Sequence, residues 1–491
     1  MLRSARLIAL VAVTVGLLGA SAVAQDIGPD DPGVKTNAKG AYDAWTLVAP
    51  FEQQYTYLID LDGRAAKSWR TSTRPGLSQK LLEDGTLVRA GNLELRGKFA
   101  RGQGAGGRIE ALAWDGSTLW QKDIASDTEM QHHEIDVLPN GNVIAIVWEY
   151  KTADEAIAMG RDPKKLCPQP CKGAIPEHSE DQLWPDKIVE YDPTTDTFVW
   201  EWKVWDHLVQ DFDPDLPNYV EDVSTRPDRI DINYILNGDN AEADWNHSNG
   251  LNYDAARDEI VLSMRTFSEF VIIDHATTTE EAAGPAGDIK FRYGNPLTYG
   301  DKKGKRQLFF QHDAEVIEPG LEGAGNIIVF NNGAPEIREF STVDEVIPER
   351  DADGNFVRDP KAGFKATRKQ AYPAPGGKDD GELAAIVSSA QRLPNGNTFI
   401  ADGPEGRTIE VTPKGKIVWD WKNPYYALRP NSPRNSGAGF PIRQNWFFQV
   451  DKYGKDFGAF VGKEAQLAPP PAPPPGADED ATKDKKKDKN D

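Results

Sequence analysis

The chain has 491 residues, 39% of them hydrophobic, and its 13 Trp, 14 Tyr and 19 Phe can fill a large core, while 44 Gly and 35 Pro imply many turns. A formal net charge of −21 argues against nucleic-acid binding and against adhesion to anionic membranes. Any anionic substrate must be drawn in by a local positive cluster.

Residues 1–24 read as a cleaved signal peptide. Arg3 and Arg6 precede the apolar run Leu7 to Ala20, and Ala22-Val23-Ala24 forms a small-residue cleavage site. The expectation is a periplasmic protein cut after Ala24. No later run reaches the roughly 18 apolar residues of a membrane helix, so no membrane insertion is expected. Residues 25–41 form an N-terminal segment, and 461–491 a disordered tail, Pro-rich from Pro469 and then charged. Cys167 and Cys171, in a Pro-containing loop, suit a local disulfide in an oxidising compartment.

Between these ends, 42–460, a repeat recurs. One half is an apolar hairpin around an Asn/Asp-Gly turn or its equivalent: 77–91, 133–148, 247–265, 312–330 and 388–402, with LPNGN verbatim at 138–142 and 393–397. The other half is a hairpin whose last strand usually carries an aromatic residue: 57–70, 109–123, 188–205, 270–293 and 407–422, with IREF and FKATRKQAY within 336–373 as a sixth. Two hairpins make a four-stranded sheet, and about six such sheets predict an all-β chain, a six-bladed β-propeller. Residues 41–51 supply blade one's missing hairpin, and the segment around Trp446-Phe447-Phe448 helps close the ring. Two insertions, 151–186 and 207–243, flank the hairpin 247–265 and are placed to shape a site.

In that hairpin, a turn centred on Ala256 sets His247 opposite Arg265 and Asn249 opposite Ser263. Aligning the hairpins on their turns gives the histidines meaning. His133 lies eight residues before Gly141, His312 eight before Gly320 and His247 eight before Ala255, with Leu77 and Ser388 at the same position elsewhere. In a propeller such equivalent inner positions converge on the central channel. Alternation turns His132 away from the face of His133, and His178, His207 and His275 fall in loops or turns.

Three converging histidines suit either a metal site or nucleophilic and acid–base work on an anion. Arg265 favours the second. A fixed cation opposite His247 repels a divalent metal, suits a sulfate or phosphate ester, and keeps nearby imidazole neutral. No metal and no cofactor are therefore expected at the histidines.

At these residues the sequence resembles the bacterial arylsulfate sulfotransferase family, which works without the nucleotide sulfate donor. The motifs are HHEI with LPNGN, DWNHSN with SMR 18 residues on, QHDAEV, and LPNGNTFIADG. The resemblance implies a periplasmic six-bladed propeller moving a sulfuryl group from an aryl sulfate to a phenol, by a ping-pong route through a sulfohistidine. By motif the nucleophile falls on His312, and the supporting histidines on His133 and His247. Asn249 and Arg265 fall on sulfate contacts, and Ser388 joins them as a substrate-binding residue. Residues 25–41 leave no room for the N-terminal β-sandwich of some members, so a dimer built through it is not implied, and the oligomeric state stays open. The alternatives are a metal-dependent propeller hydrolase or lyase using the same histidines, and a non-catalytic binding propeller. The expected partners are small phenols and aryl sulfates.

Overall fold

The computed structural model describes residues 32–467, apart from 52, 95–96, 100–101, 103, 105, 167–181, 236–242, 335–336, 360–362, 374–383, 426 and 430–441. Residues 1–31, which include the expected signal peptide, Cys167 and Cys171 and the tail from 468 lie outside the described residues. Among the described residues no helix is long and apolar enough to cross a membrane.

Six small antiparallel sheets form a ring, the six-bladed propeller that the repeat predicts. Blade 3 shows why the sequence chooses this form. Its second strand, Val143–Glu149, is a β-branched and aromatic run buried along almost its whole length, whereas its fourth, Thr197–Lys203, is largely exposed at its start. Blades stack face to face, so central strands are covered on both sides and read as continuous apolar runs. Outer strands meet solvent.

The innermost strands are Asp451–Gly454, Arg74–Leu81, Glu129–Val137, Ser248–Asp254, His312–Val316 and Ser389–Arg392, in blades 1 to 6. Blade 1 is closed by Asp451–Gly454, which pairs with Ala44–Val48. Residues 41–51 thus give the second strand of that blade, and the first comes from just beyond Phe448. Gly33–Asn37 pairs with Ile417–Lys422 and adds a fifth strand to blade 6, so the ring is tied at both of its chain ends. In blade 5 the outer pair is Thr342–Pro348 with Ala366–Tyr372. The IREF segment, placed there by the sequence, precedes that strand instead.

Polar side chains stitch each inner strand to the next. Glu134 and Asp136 accept the backbone N–H groups of Leu251 and Tyr253, each at 2.9 Å. Asn252 accepts from Val316, Asp313 from Ala390, and Gln391 from Lys452. These bonds satisfy inner edges that no fifth strand can reach.

At the turn end, Gly85, Gly141 and Gly396 have φ of 88–92° or, for Gly396, 82°, and each donates its N–H to the leucine three residues before it. This left-handed position closing a short hairpin is where glycine costs least. The other end of the inner strands is bulged in blades 2 to 5. Leu77, His133, His247 and Ser388 all have positive φ, as does Asp313 one residue after His312. The shared register of the hairpins is thus a shared backbone irregularity, and bulges re-aim side chains.

Candidate active site

The opening hairpin departs from a simple register. From Asp254↔Glu259 to Gly250↔Ser263 its pairs run one residue off the expected alignment, and a bulge at Asn249 then shifts it. Beyond the bulge Ser248 pairs with Met264, and Arg265 donates its N–H to the His247 carbonyl at 3.1 Å. His247 and Arg265 end opposite each other after all. The reason is the bulge, not a turn centred on Ala256.

His133 and His247 meet edge to face, ring centroids 4.7 Å apart. Phe448 lies between His133 and His312, its ring centroid 5.8 Å from each. All three histidines are buried, at 3–6% exposure. The Arg265 guanidinium lies over Phe310, two residues before His312, at 5.1 Å.

Each imidazole is held in the same tautomer by a different partner. His247 Nδ1 donates to Asp244 Oδ2 at 2.6 Å, and Asp244 Oδ1 accepts from Trp148 Nε1 at 2.8 Å. His312 Nδ1 donates to Asn332 Oδ1 at 2.8 Å. His133 Nδ1 meets His132 Nδ1 at 2.8 Å, and His132 Nε2 meets Asp186 Oδ1 at 3.0 Å. Asp186 also accepts from Asn246 and from the Ser248 N–H, so it is the fixed anion of that chain. The proton order therefore runs from His133 to His132 to Asp186. In all three rings Nε2 is left as the basic nitrogen.

Burial drives His133 and His312 well below the ordinary histidine range. For His133 the next causes are His247 and His132, and for His312 the positive charge of Arg265. Both are neutral bases near pH 7. His312 carries one further contact, because Val387 donates its N–H to Nε2 at 3.1 Å. Attack from Nε2 requires that bond to be released.

Of the residues singled out by sequence, His133, His247, His312 and Arg265 come together. Asn249 and Ser388 are engaged in hydrogen bonds within the protein. The Asn249 amide donates to the Gln311 carbonyl at 2.9 Å and accepts from Ser263, so it fixes the residue before His312. Ser388 accepts the Gly403 N–H and donates to the Ile386 carbonyl, within its own blade. His132 lies flat on Trp148, centroids 4.0 Å apart, as a core residue that also touches His133. His207 and His275 are held by Asp288 and by Asp258 with Glu190, away from the site. His178 lies outside the described residues.

Sequence reasoning missed Asp244, Asp186, Asn332 and Phe448 as parts of the site. Asp244 had a signal, lying three residues before His247 in the same motif. Asp186 is 54 residues from His132, and only the fold joins them. The two insertions pack together through Arg161, which donates to the carbonyls of Ile232 and Lys165, and through Asn233, which donates to that of Gly160. Where they meet blade 4, the Trp184 backbone N–H donates to the Ala243 carbonyl at 2.7 Å, beside Asp244.

A local positive cluster answers the acidic overall charge. Arg265, Arg306 and Arg338 alternate with Phe310 and Phe309, with guanidinium-to-centroid distances of 4.8–5.5 Å. Arg338 continues the ladder to Phe340, which is 48% exposed. A charged and aromatic track thus runs from the surface to the histidines.

No match was found among curated proteins. Among solved structures, the chain is similar to a protein of unknown function from Bacteroides caccae at 12% identity, over 77% of this chain and 93% of that one, with a TM-score of 0.40. It is similar to virginiamycin B lyase from Staphylococcus aureus at 10% identity, over 80% and 85%, with a TM-score of 0.36. Hydrazine synthase from Kuenenia stuttgartiensis is similar at 13% identity, over 61% and 67%, with a TM-score of 0.33. Residues 172–357, which hold His247, Arg265 and His312, match the model of the family described as Arylsulfotransferase (ASST), consistent with the resemblance that the motifs carry.

Proposed function

We propose that the protein is a periplasmic enzyme that moves a sulfuryl group from an aryl sulfate to a phenol through a sulfohistidine on His312. The observation that carries this reading is His312 itself, a neutral imidazole with Nδ1–H fixed by Asn332, under the positive charge of Arg265. In the first step Nε2, released by Val387, forms a bond to sulfur as the bond from sulfur to the aryl oxygen breaks. The phenolate departs. Arg265 holds the sulfuryl oxygens, and the freed Val387 N–H becomes a donor to them.

In the second step His247 Nε2 takes the proton of an acceptor phenol. The phenol oxygen bonds to sulfur, the N–S bond breaks, and His312 returns to its starting tautomer. The proton gained by His247 balances the one taken up by the released phenolate. Asp244 stabilises the imidazolium at His247, and the Asp186–His132 pair orients His133.

One observation favours a second reading. The His312 Nε2 lone pair is engaged by Val387, whereas His247 is paired with a carboxylate in the manner of an activated nucleophile. Mixing enzyme with a chromogenic aryl sulfate and no acceptor separates the two. A burst of one phenol per chain and the mass of one sulfuryl group are expected, and added phenol should then drive turnover. His312→Asn should give neither burst nor label, while His247→Asn should label slowly. Label that persists in His312→Asn and vanishes in His247→Asn makes His247 the nucleophile. Absence of turnover with any phenol returns the reading to a hydrolase or a binding propeller.

A further inference from the structure

Beneath the histidines, the same inner strands carry a second polar cluster. Glu134, Asp313 and Glu315 offer carboxylate oxygens that all lie within 4.8 Å of one another. Ca2+ binds oxygen at about 2.3–2.6 Å, so oxygens at that separation can all touch one ion. Independent observations point the same way. Asp451, on the closing strand, is 5% exposed, lines the adjoining cavity of about 950 Å3, and its Oδ2 meets no hydrogen-bond partner. Glu134 Oε1 and Gln449 Oε1 are likewise buried without partners, although Gln449 Nε2 donates to Asp313 at 3.1 Å and Glu315 at 3.2 Å. The cation that answers these acids is Lys80, with Nζ 3.4 Å from Glu315.

Buried carboxylates with so little compensation resist ionisation. Burial pushes Glu134 up to about 8 and Glu315 up to about 7, and raises Asp313 and Asp451 as well. A proton on each acid is one remedy. A divalent ion is another, and it also satisfies the orphaned oxygens.

We infer that this end of the channel is a Ca2+ site, formed by Glu134, Asp313, Glu315 and Asp451. Donors that are all oxygen select a hard cation, and irregular placement on three blades suits Ca2+ better than Mg2+. Glu134 follows His133, and Asp313 follows His312, so the ion braces the strands that carry the histidines without touching an imidazole.

The test uses the full chain, stripped with chelator and titrated with CaCl2 by calorimetry in two buffers of different ionisation enthalpy. One ion per chain is expected, with Tm rising by about 3 °C at a hundredfold excess over Kd. Glu134→Gln and Asp451→Asn should each abolish the heat and the shift, yet melt no lower than wild type in chelator, since each amide keeps the shape of the carboxyl group and removes an acid that burial resists ionising. Should one variant fail to fold, the other variant and the wild-type titration still decide. A wild type without stoichiometric calcium heat overturns the site. So do folded variants that keep wild-type binding, which would place the calcium on the acidic surface.

Discussion

The two ends of the central channel are built from the same strands and opposite chemistry. At the bulged end, His133 and His312 are bases that burial holds neutral. One residue further along each strand, Glu134 and Asp313 are acids whose ionisation burial opposes. Desolvation penalises whichever form is charged, so the same low-dielectric channel moves the two sets of pKa values in opposite directions. At the first end the outcome is a nucleophile ready near pH 7. At the second it is a cluster of acids that awaits a counter-ion.

The hardest blow to this contrast is removal of the neutral base. His312→Asn should lower sulfuryl transfer by about 10⁴-fold or more and abolish the burst, with the melting temperature nearly kept. Asp244→Asn is a finer cut. The amide retains an oxygen for Trp148 but presents an N–H to His247 Nδ1, which forces the other tautomer and removes the basic Nε2. Turnover should fall by about 10²–10⁴-fold, and the steady-state profile should show it most at low pH, where little acceptor ionises without a base. Arg265→Lys keeps the charge and loses the two-pronged grip on the sulfuryl oxygens. A decrease in kcat/KM of about 10²-fold is expected, and an unchanged value would remove Arg265 from the sulfuryl contacts.

The smallest effect concerns stability against pH, where the two ends should pull in opposite senses. Glu134 and Glu315 hold protons in the folded chain that the unfolded chain has lost above its ordinary range near 4.5. Between there and about 8 the folded state binds more protons, so in chelator stability falls as pH rises. His133 and His312 are the reverse case. The unfolded histidines bind protons below about 6.5 while the folded ones do not, so stability also falls on acidification through that range. Thermal melts in chelator should peak near pH 6, and Glu134→Gln should flatten the alkaline side by roughly 3 °C. An alkaline limb unchanged in that variant would show that Glu134 is ionised throughout.

Much of this molecule was legible in one sequence. The repeat of paired hairpins fixes an all-β propeller, because alternation and turn residues are local signals that survive any packing. The eight-residue offset from each turn selected His133 and His312 and, through DWNHSN, His247, because equivalent positions of repeated strands must converge on one axis. What only the tertiary structure decided are the partners. Asp186 reaches His132 across 54 residues, Asn332 reaches His312, and Phe448 arrives with the closing strand. Asn249 and Ser388 were chosen by motif and register, yet their polar atoms serve Gln311 and Gly403. The acidic end was invisible for the same reason. Glu134, Asp313, Glu315 and Asp451 each look like an ordinary polar position of an alternating strand, and only closure of the ring brings the first three together with Asp451 on the adjoining cavity.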